Sequence, residues 1–252
     1  MAPAFAREHA PLLYFAAQFL TTEKRSSIFI LYAASHTAQN QLTNSNDAKN
    51  HESLQEIIKK FSISPEILED IRKDQTTALK TSRYSDFVQL QRHLHQTKGA
   101  LSLAFSKILG YRDRHFEQHA INFGIGIGLT QILCSIKDDY TRGWIFLPSD
   151  EMNRFGLAEE NIRREDMTAN FRELLKFQTN RARQYLENIV SALQMVGDLP
   201  SRFAICLLKE SYTEILAAIE RQNDNIFKTP IGLSPLQKIF LIFKTFFKGQ
   251  YL

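Results

Sequence analysis

Apolar residues recur at steps of three and four along most of the chain, which is the period of a helix with one buried face. The clearest example runs from His119 to about Tyr140, and its apolar face consists of Ile121, Ile125, Leu129, Ile132, Leu133 and Ile136. Similar patterns predict further helices between Ser85 and Gly110 and over 167–195, 201–222 and 234–248. No segment of useful length has the period of a strand, so the pattern predicts an all-α protein of roughly eight or more helices.

Capping residues predict several helix boundaries. Ser64 followed by Pro65 is typical of a helix start. Residues 144–148 are expected to form a short non-helical link, after which Ser149 caps a new helix. Pro200 is expected to end the preceding amphipathic helix.

Three glycines, Gly124, Gly126 and Gly128, interrupt the longest apolar pattern. Their spacing differs from that of a dinucleotide-binding loop, and no strand precedes them. We therefore expect them to let neighbouring helices pack closely.

Length and composition are those of an ordinary globular protein. The 252 residues fit one domain over 1–252, with 44 % hydrophobic and 23 % charged residues. The net charge of +4 fits an anionic ligand or a membrane surface. It is too weak to indicate nucleic acid, and no run of Lys and Arg is present.

Cysteine usage and the N-terminus bear on the compartment. Cys134 and Cys206 have no paired spacing, so we expect a reducing, cytoplasmic environment, with Cys134 as a small packing residue. The N-terminal residues lack the basic start and apolar core of a signal peptide. No apolar run reaches about 18 residues, so no transmembrane helix is expected.

The most specific motif covers residues 129–148 and reads LTQILCSIKDDYTRGWIFLP. It resembles the squalene/phytoene synthase pattern LTNILRDxxEDxxRGRxYLP, and 150–157 continues the resemblance through the family's FGL. Shorter segments at 23–33, 83–84, 177–183 and 212–216 resemble family segments in the same order. The resemblance covers nearly the whole chain and implies an isoprenoid-synthase-type helical bundle around a central cavity.

Enzymes of this family join two prenyl diphosphates head to head. The resemblance implies that two aspartate-rich motifs on facing helices hold Mg²⁺, which prefers oxygen ligands and neutralises the leaving diphosphate. In the motif D-x-x-E-D the acids lie at i, i+3 and i+4, and hence on one helical face.

This chain departs from the family in both motifs. Where the first motif has its acids, the chain has Gln39, Asn40 and Thr43. The second motif has Ser135 at its first acid position and keeps Asp138 and Asp139, so two acids of six remain. Losing several of these charges should abolish a well-filled trinuclear metal site.

The surviving polar residues have two interpretations. Asp138 and Asp139 are either a remnant metal or diphosphate site, with Mg²⁺ bound weakly, or a solvated helix end. Arg142 either holds a phosphate, together with Gln131, or interacts with the helix dipole. The tail over 238–248 is either a final core helix or a segment that contacts a membrane surface.

Three functional hypotheses follow. The first is a catalytically degenerate protein that binds an isoprenoid or another lipid, or that acts on a protein partner as an assembly factor. Residues 97–101 support it, because they look more like a mitochondrial complex I assembly factor branch of the family. The second is an active Mg²⁺-dependent prenyl transferase of the squalene or phytoene synthase type. The third is a protein of this fold whose cavity is filled by side chains.

Overall fold

A computed structural model describes residues 1–37, 47–67, 83–221, 226–227 and 231–252. Its helices are α1 (Ala2–His9), α2 (Pro11–Ala17), α3 (Thr22–Thr37), α4 (Asp47–Lys60), α5 (Phe87–Leu94), α6 (Ala100–Leu109), α7 (Phe116–Thr141), α8 (Ser149–Arg154), α9 (Glu159–Arg163), α10 (Ala169–Glu187), α11 (Leu199–Arg221) and α12 (Pro235–Lys248). A π-helical turn, His95–Gly99, joins α5 to α6, and a 3₁₀ helix, Val190–Met195, follows α10. The described residues contain two isolated bridges and no strand, which confirms the all-α prediction.

Side-chain caps fix several helix starts. The Asp86 carboxylate accepts a hydrogen bond from the Gln89 backbone N–H at 2.9 Å, and the Thr168 hydroxyl accepts one from Phe171 N–H at 3.1 Å. Ser234 and Gln237 form a reciprocal capping box at the start of α12. The predicted start at Pro65 is confirmed, since 65–67 are helical up to the limit of the described segment.

Two predicted boundaries were wrong. The stretch over 167–195 is not one helix, because α10 ends at Glu187 and the 3₁₀ helix follows. Pro200 does not end that stretch but lies in the first turn of α11. There the Asp198 carboxylate caps the helix by accepting from Ser201 N–H at 2.9 Å, and a missing N–H is tolerated at that position.

Helix α7 runs through the centre of the bundle, and its glycines allow close packing. A Cβ added at Gly124 would lie 2.2 Å from the backbone oxygen of Lys98. One at Gly126 would lie 2.9 Å from the backbone nitrogen of Leu186. The prediction that these glycines bring helices together is therefore confirmed.

Helix α7 is long and apolar enough to cross a membrane, by length and composition alone. The search of the sequence for uninterrupted apolar runs did not identify it. The protein buries 56 % of its most apolar window, as in a core helix of a globular bundle.

The buried apolar residues form two clusters. The larger one joins α5, α7, α8, α10 and α11, and includes Phe116, Phe171 and Leu186. The smaller one joins α1, α3, α4 and α6, and includes Leu31 and Ile108. Helices α6, α7 and α11 line the space between them, and this space is the cavity described below.

Candidate functional site

A cavity lies between the helices, with about 910 Å³ of space when the open solvent at its mouth is included. Its wall is mostly aliphatic and aromatic, and small residues of α2 and α6 widen it. The polar side chains in the wall are Tyr32, Lys98, Ser102, Ser106, Gln131 and Tyr212. A largely apolar wall with a few polar groups is typical of small-molecule sites.

Two tyrosines in the wall are uncharged at neutral pH. Burial raises the pKa of Tyr32 to about 12 and raises that of Tyr212 further. The Gln131 amide donates a hydrogen bond to the Tyr212 hydroxyl at 3.3 Å. The Tyr32 and Tyr212 hydroxyls can therefore hydrogen-bond to a ligand, but they carry no negative charge.

The second motif lies one to two turns beyond Gln131 on α7. The Ser135 hydroxyl lies 2.5 Å from a carboxylate oxygen of Asp139. Burial raises the pKa of Asp139 despite that contact, and the charge of neighbouring Asp138 adds to the rise. Asp138 itself is exposed.

Asp139 lines a second and smaller pocket of about 200 Å³ between α7 and the link over 144–148. The aromatic rings of Trp144 and Phe146 lie in its wall. Of the motif residues, Gln131 lines the large cavity, whereas Ser135, Asp138 and Asp139 are not among its lining side chains.

The other predicted residues are placed as follows. Arg142 is exposed and follows the last turn of α7, where its backbone N–H donates to the carbonyls of Asp138 and Asp139. Gln39, Asn40 and Thr43 lie outside the described residues. The roles assigned to all of these residues therefore stay predictions.

The donor set for a metal is small in the described part of the chain, which holds no group of three or more His, Cys, Asp or Glu side chains suited to a metal ion. Asp138 and Asp139 supply two carboxylates, and the second favours its protonated form more than an ordinary aspartate does. On their own, these residues do not fit a Mg²⁺ site that demands near-octahedral oxygen ligands.

Two residues near the cavity escaped the sequence analysis as site candidates. His36 at the end of α3 packs against the rings of Tyr32 and Phe5, with centroids 4.6 and 5.9 Å away. Burial, followed by the nearby charge of Lys98, lowers the pKa of His36 to about 4. Lys98 lies in the π-helical turn, an irregularity that often marks functional sites but that the sequence did not predict.

The fold and cavity define an all-α helical bundle around an apolar cavity, and comparison with known proteins identifies its family. The squalene/phytoene synthase family model matches residues 36–237. The chain belongs to the squalene/phytoene synthase family.

Curated relatives include two phytoene synthases. The chain is 25 % identical over 211 residues to 15-cis-phytoene synthase of Synechocystis, and the match covers 79 % of this chain and 62 % of that protein. It is 25 % identical over 250 residues to the chloroplastic phytoene synthase 2 of Zea mays, covering 87 % and 62 %. The chain thus spans less than two thirds of the length of these relatives.

Solved structures share the fold. A dehydrosqualene synthase in complex with ligand superposes with a TM-score of 0.89 at 17 % identity, over 100 % of this chain and 96 % of that one. Squalene synthase HpnC from Alicyclobacillus acidocaldarius gives a TM-score of 0.76 at 17 % identity, over 89 % and 93 %. At these identities the likeness establishes the isoprenoid-synthase fold.

Proposed function

We propose that this protein is a catalytically degenerate member of its family that binds an isoprenoid or similar lipid in the central cavity, as a lipid-binding or assembly factor. The observation that carries the proposal is the composition of the cavity wall. Most of its described side chains are apolar, and none of them is a carboxylate. The wall suits a hydrocarbon chain, and the acids that would collect metal ions are largely replaced.

The loss of acids matters because diphosphate is a poor leaving group unless positive charge neutralises it. Two facing sets of carboxylates provide that charge in the family by holding Mg²⁺. Here Gln39, Asn40, Thr43 and Ser135 occupy four of the six acid positions and carry no charge. The cluster works as a unit, so the two remaining acids should not support turnover.

A product assay tests the proposal. Incubation with farnesyl or geranylgeranyl diphosphate and Mg²⁺ is expected to give no C30 or C40 hydrocarbon. Acids restored together at Gln39, Asn40, Thr43 and Ser135 are expected to recover at most a trace of product, and one acid alone none.

The second candidate is an active prenyl transferase of the squalene or phytoene synthase type, and the adjacent pair Asp138 and Asp139 favours it. In this alternative the pair holds Mg²⁺, while Arg142 and Gln131 contact diphosphate. Robust C30 or C40 product from the unmodified protein, lost in Asp138→Ala, would establish this function and refute the first.

We also propose that α12 rests on a membrane surface, where a lipid ligand would be met. Helix α12 buries Leu241 and Thr245, and most of its other apolar side chains are exposed. Its outer face is an apolar stripe with exposed fractions of 52–80 %, formed by Leu236, Ile239, Phe240, Phe243, Phe246 and Phe247. A bulky apolar stripe of this kind fits the headgroup boundary of a bilayer.

The lysines of α12 point back into the protein. Lys244 and Lys248 pair with the buried Glu210 at 2.9 and 2.7 Å, and Lys238 lies over the ring of Phe15. Binding should therefore depend on apolar burial rather than on anionic lipid, and should change little with salt.

Vesicle co-sedimentation tests this contact. With phosphatidylcholine vesicles we expect Phe243→Ser/Phe247→Ser to reduce partitioning about tenfold or more, since burying each ring is worth roughly 1.5–3 kcal/mol. Val88→Ser, which alters an exposed apolar side chain on α5, should leave it unchanged. Unaltered partitioning of the double variant would contradict the proposal. Full release when the salt is raised about fivefold, from about 0.1 M to about 0.5 M, would also contradict it, because salt in this range screens electrostatic attraction.

A further inference from the structure

Aromatic rings connect the exposed stripe of α12 to α2, a helix that contributes to the cavity wall. At the end of α12, the Phe246 ring packs against Tyr251 with centroids 6.5 Å apart, and Tyr251 packs edge-on against Phe203 of α11 at 5.1 Å. The Phe203 ring packs in turn against Phe19, just beyond α2, at 5.0 Å, and Phe19 packs against Phe15 of α2 at 6.4 Å. These five rings, with Tyr251 as the buried link, form a continuous series that we call the aromatic row.

Helices α2 and α12 lie side by side on α11, since both pack against it. At the start of α12, Lys238 lies over the Phe15 ring, 5.9 Å from the centroid. At its end, Phe246 reaches Phe19 through the rings between them. The rings of Phe15, Phe19 and Phe203 are half-buried, so each keeps part of its surface in solvent. The exposed apolar surface of α12 therefore continues across α11 onto α2.

The exposed apolar side chains of the described residues are concentrated on this side of the protein. Ten large apolar side chains are exposed to 49–80 %, and six of them form the α12 stripe. Leu199 precedes Phe203 by one turn of α11, so the two share a helix face. The backbone oxygen of Leu252 accepts a hydrogen bond from Arg202 at 3.0 Å, which places Leu252 beside the same turn. Eight of the ten thus lie on α12 or beside the aromatic row, and such a concentration marks an interaction surface.

We infer that a lipid bilayer contacts a face built from α2, α11 and α12 together, with the aromatic row at the headgroup boundary. The inference rests on the proposed membrane contact of α12 and extends it to two further helices. It also fixes the orientation of the protein, because α2 then faces the membrane together with the stripe.

Basic side chains border this face. Lys238 lies between α12 and α2, Arg25 donates a hydrogen bond to the Gln18 carbonyl at the end of α2 at 3.5 Å, and Arg202 lies beside the row on α11. Cationic side chains around aromatic and aliphatic residues suit the phosphates and the acyl boundary of a bilayer. They are few, so apolar contact remains the main contribution to binding.

The position of the cavity favours a lipid surface over a protein as the partner. Helices α2 and α11 supply Ala16, Ala17 and Ala204 to the cavity wall, whereas Phe19 and Phe203 are not among the lining side chains and are partly exposed. A single layer of helices therefore separates a largely apolar cavity from this face. A bilayer on the other side of that layer would place lipid next to the cavity that is proposed to bind it.

Tryptophan quenching by brominated phosphatidylcholine tests the inference, because the chain has a single tryptophan, Trp144. In a Trp144→Phe background, one tryptophan is introduced at Phe19, Phe246 or Val88, and each variant is mixed with vesicles whose acyl chains carry bromine or lack it. We expect brominated vesicles to cause a loss of fluorescence in Phe19→Trp and Phe246→Trp. Val88→Trp is the control and should lose none, since Val88 is exposed on α5 and takes no part in this face.

Vesicle co-sedimentation provides a second measurement. Phe15→Ser/Phe19→Ser should reduce partitioning into phosphatidylcholine vesicles about threefold to tenfold, less than the loss of two fully exposed rings would, because these rings are half-buried. Circular dichroism and a thermal scan verify the fold of each variant. Phe19→Trp keeps an aromatic ring in the row, so the quenching measurement stands even where the serine variant folds poorly.

The outcomes that would overturn the inference are distinguishable from failure of the proposed membrane contact. Quenching of Phe246→Trp without Phe19→Trp would overturn the inference and leave α12 as the contact. Quenching at neither position would overturn the contact of α12 and this inference together. Equal quenching of Val88→Trp would show adsorption without a defined face. Self-association that is lost in Phe15→Ser/Phe19→Ser, in a protein that does not bind vesicles, would assign the face to a second copy of the chain instead.

Discussion

Replacing Glu210 should destabilise the protein strongly, because this carboxylate joins α11 to α12 inside the protein. Glu210 is 1 % exposed, and the ammonium groups of Lys248, Lys244 and Lys209 lie 2.7, 2.9 and 3.1 Å from its oxygens. Lys209 is 2 % exposed, so its charge also depends on local compensation. Glu210→Gln keeps the size of the side chain but removes the charge that these lysines face.

The pKa of Glu210 gives the magnitude. Burial alone would raise it, but hydrogen bonds from Lys248 and Lys244, with the charge of Lys209, lower it from 4.5 to about 2. That shift corresponds to about 3 kcal/mol of stability at neutral pH. Removing one partner of a buried ion pair costs roughly 3–5 kcal/mol in general, so the two values agree. A chain of this length should lose about 6–12 °C in Tm.

Thermal unfolding at several pH values is the assay. The pKa is lower in the folded state, so the stabilisation is fully present above pH 4.5 and is lost as the pH falls towards 2. The difference between the unmodified protein and Glu210→Gln should therefore be large at pH 7 and shrink below pH 4.5. The exposed Glu173 provides the control, since Glu173→Gln should change little at either pH. A Glu210→Gln variant as stable as the unmodified protein at pH 7 would refute the reasoning.

Three further predictions concern α7. Gly124→Ala should lower the free energy of unfolding, measured in urea, by about 1–3 kcal/mol, because the new Cβ would lie 2.2 Å from a backbone atom. This cost exceeds the gain of about 1 kcal/mol in helix propensity that alanine brings. The control Gly232→Ala, with open space around the Cβ, should be neutral. Asp139→Asn should raise Tm at pH 7, because a carboxylate whose pKa is raised in the folded state opposes folding once it is ionised. The gain in Tm should vanish at a pH below the ordinary aspartate range, where the carboxyl is protonated in both states. The control Asp138→Asn, at an exposed position, should show no such gain. Calorimetry with MgCl₂ on the apo protein should detect weak binding or none, whereas a tight and saturable site would show that other residues replace the lost acids.

The sequence predicted the bundle well because helix period and helix caps are local properties. Three- and four-residue spacing of apolar positions and capping residues such as Ser64 depend on near neighbours in the chain. The close-packing role of Gly124 and Gly126 was also accessible, because small residues inside an apolar helical pattern let neighbouring helices approach. The boundary at Pro200 was misassigned because proline ends one helix and begins another with equal ease, and only the Asp198 cap distinguishes the two cases.

The cavity wall depended on tertiary structure. Gln131 and the acid motif are adjacent in sequence, yet Gln131 lines the large cavity while Asp139 lines a smaller one beside the 144–148 link. Lys98 belongs to the segment 97–101 that the sequence analysis singled out, but nothing in the sequence placed its side chain in a cavity wall. Its place in the wall follows from helices that are distant in sequence and supply most of the other lining residues.

The orientation of α12 also depended on the tertiary structure. The sequence alone predicted a helical tail with lysines among its apolar residues, together with the all-α fold. Which side faces the protein could not be read from that pattern, because apolar residues usually face inward. The tertiary structure decided it: buried Glu210 draws Lys244 and Lys248 inward, and this leaves the phenylalanine stripe exposed.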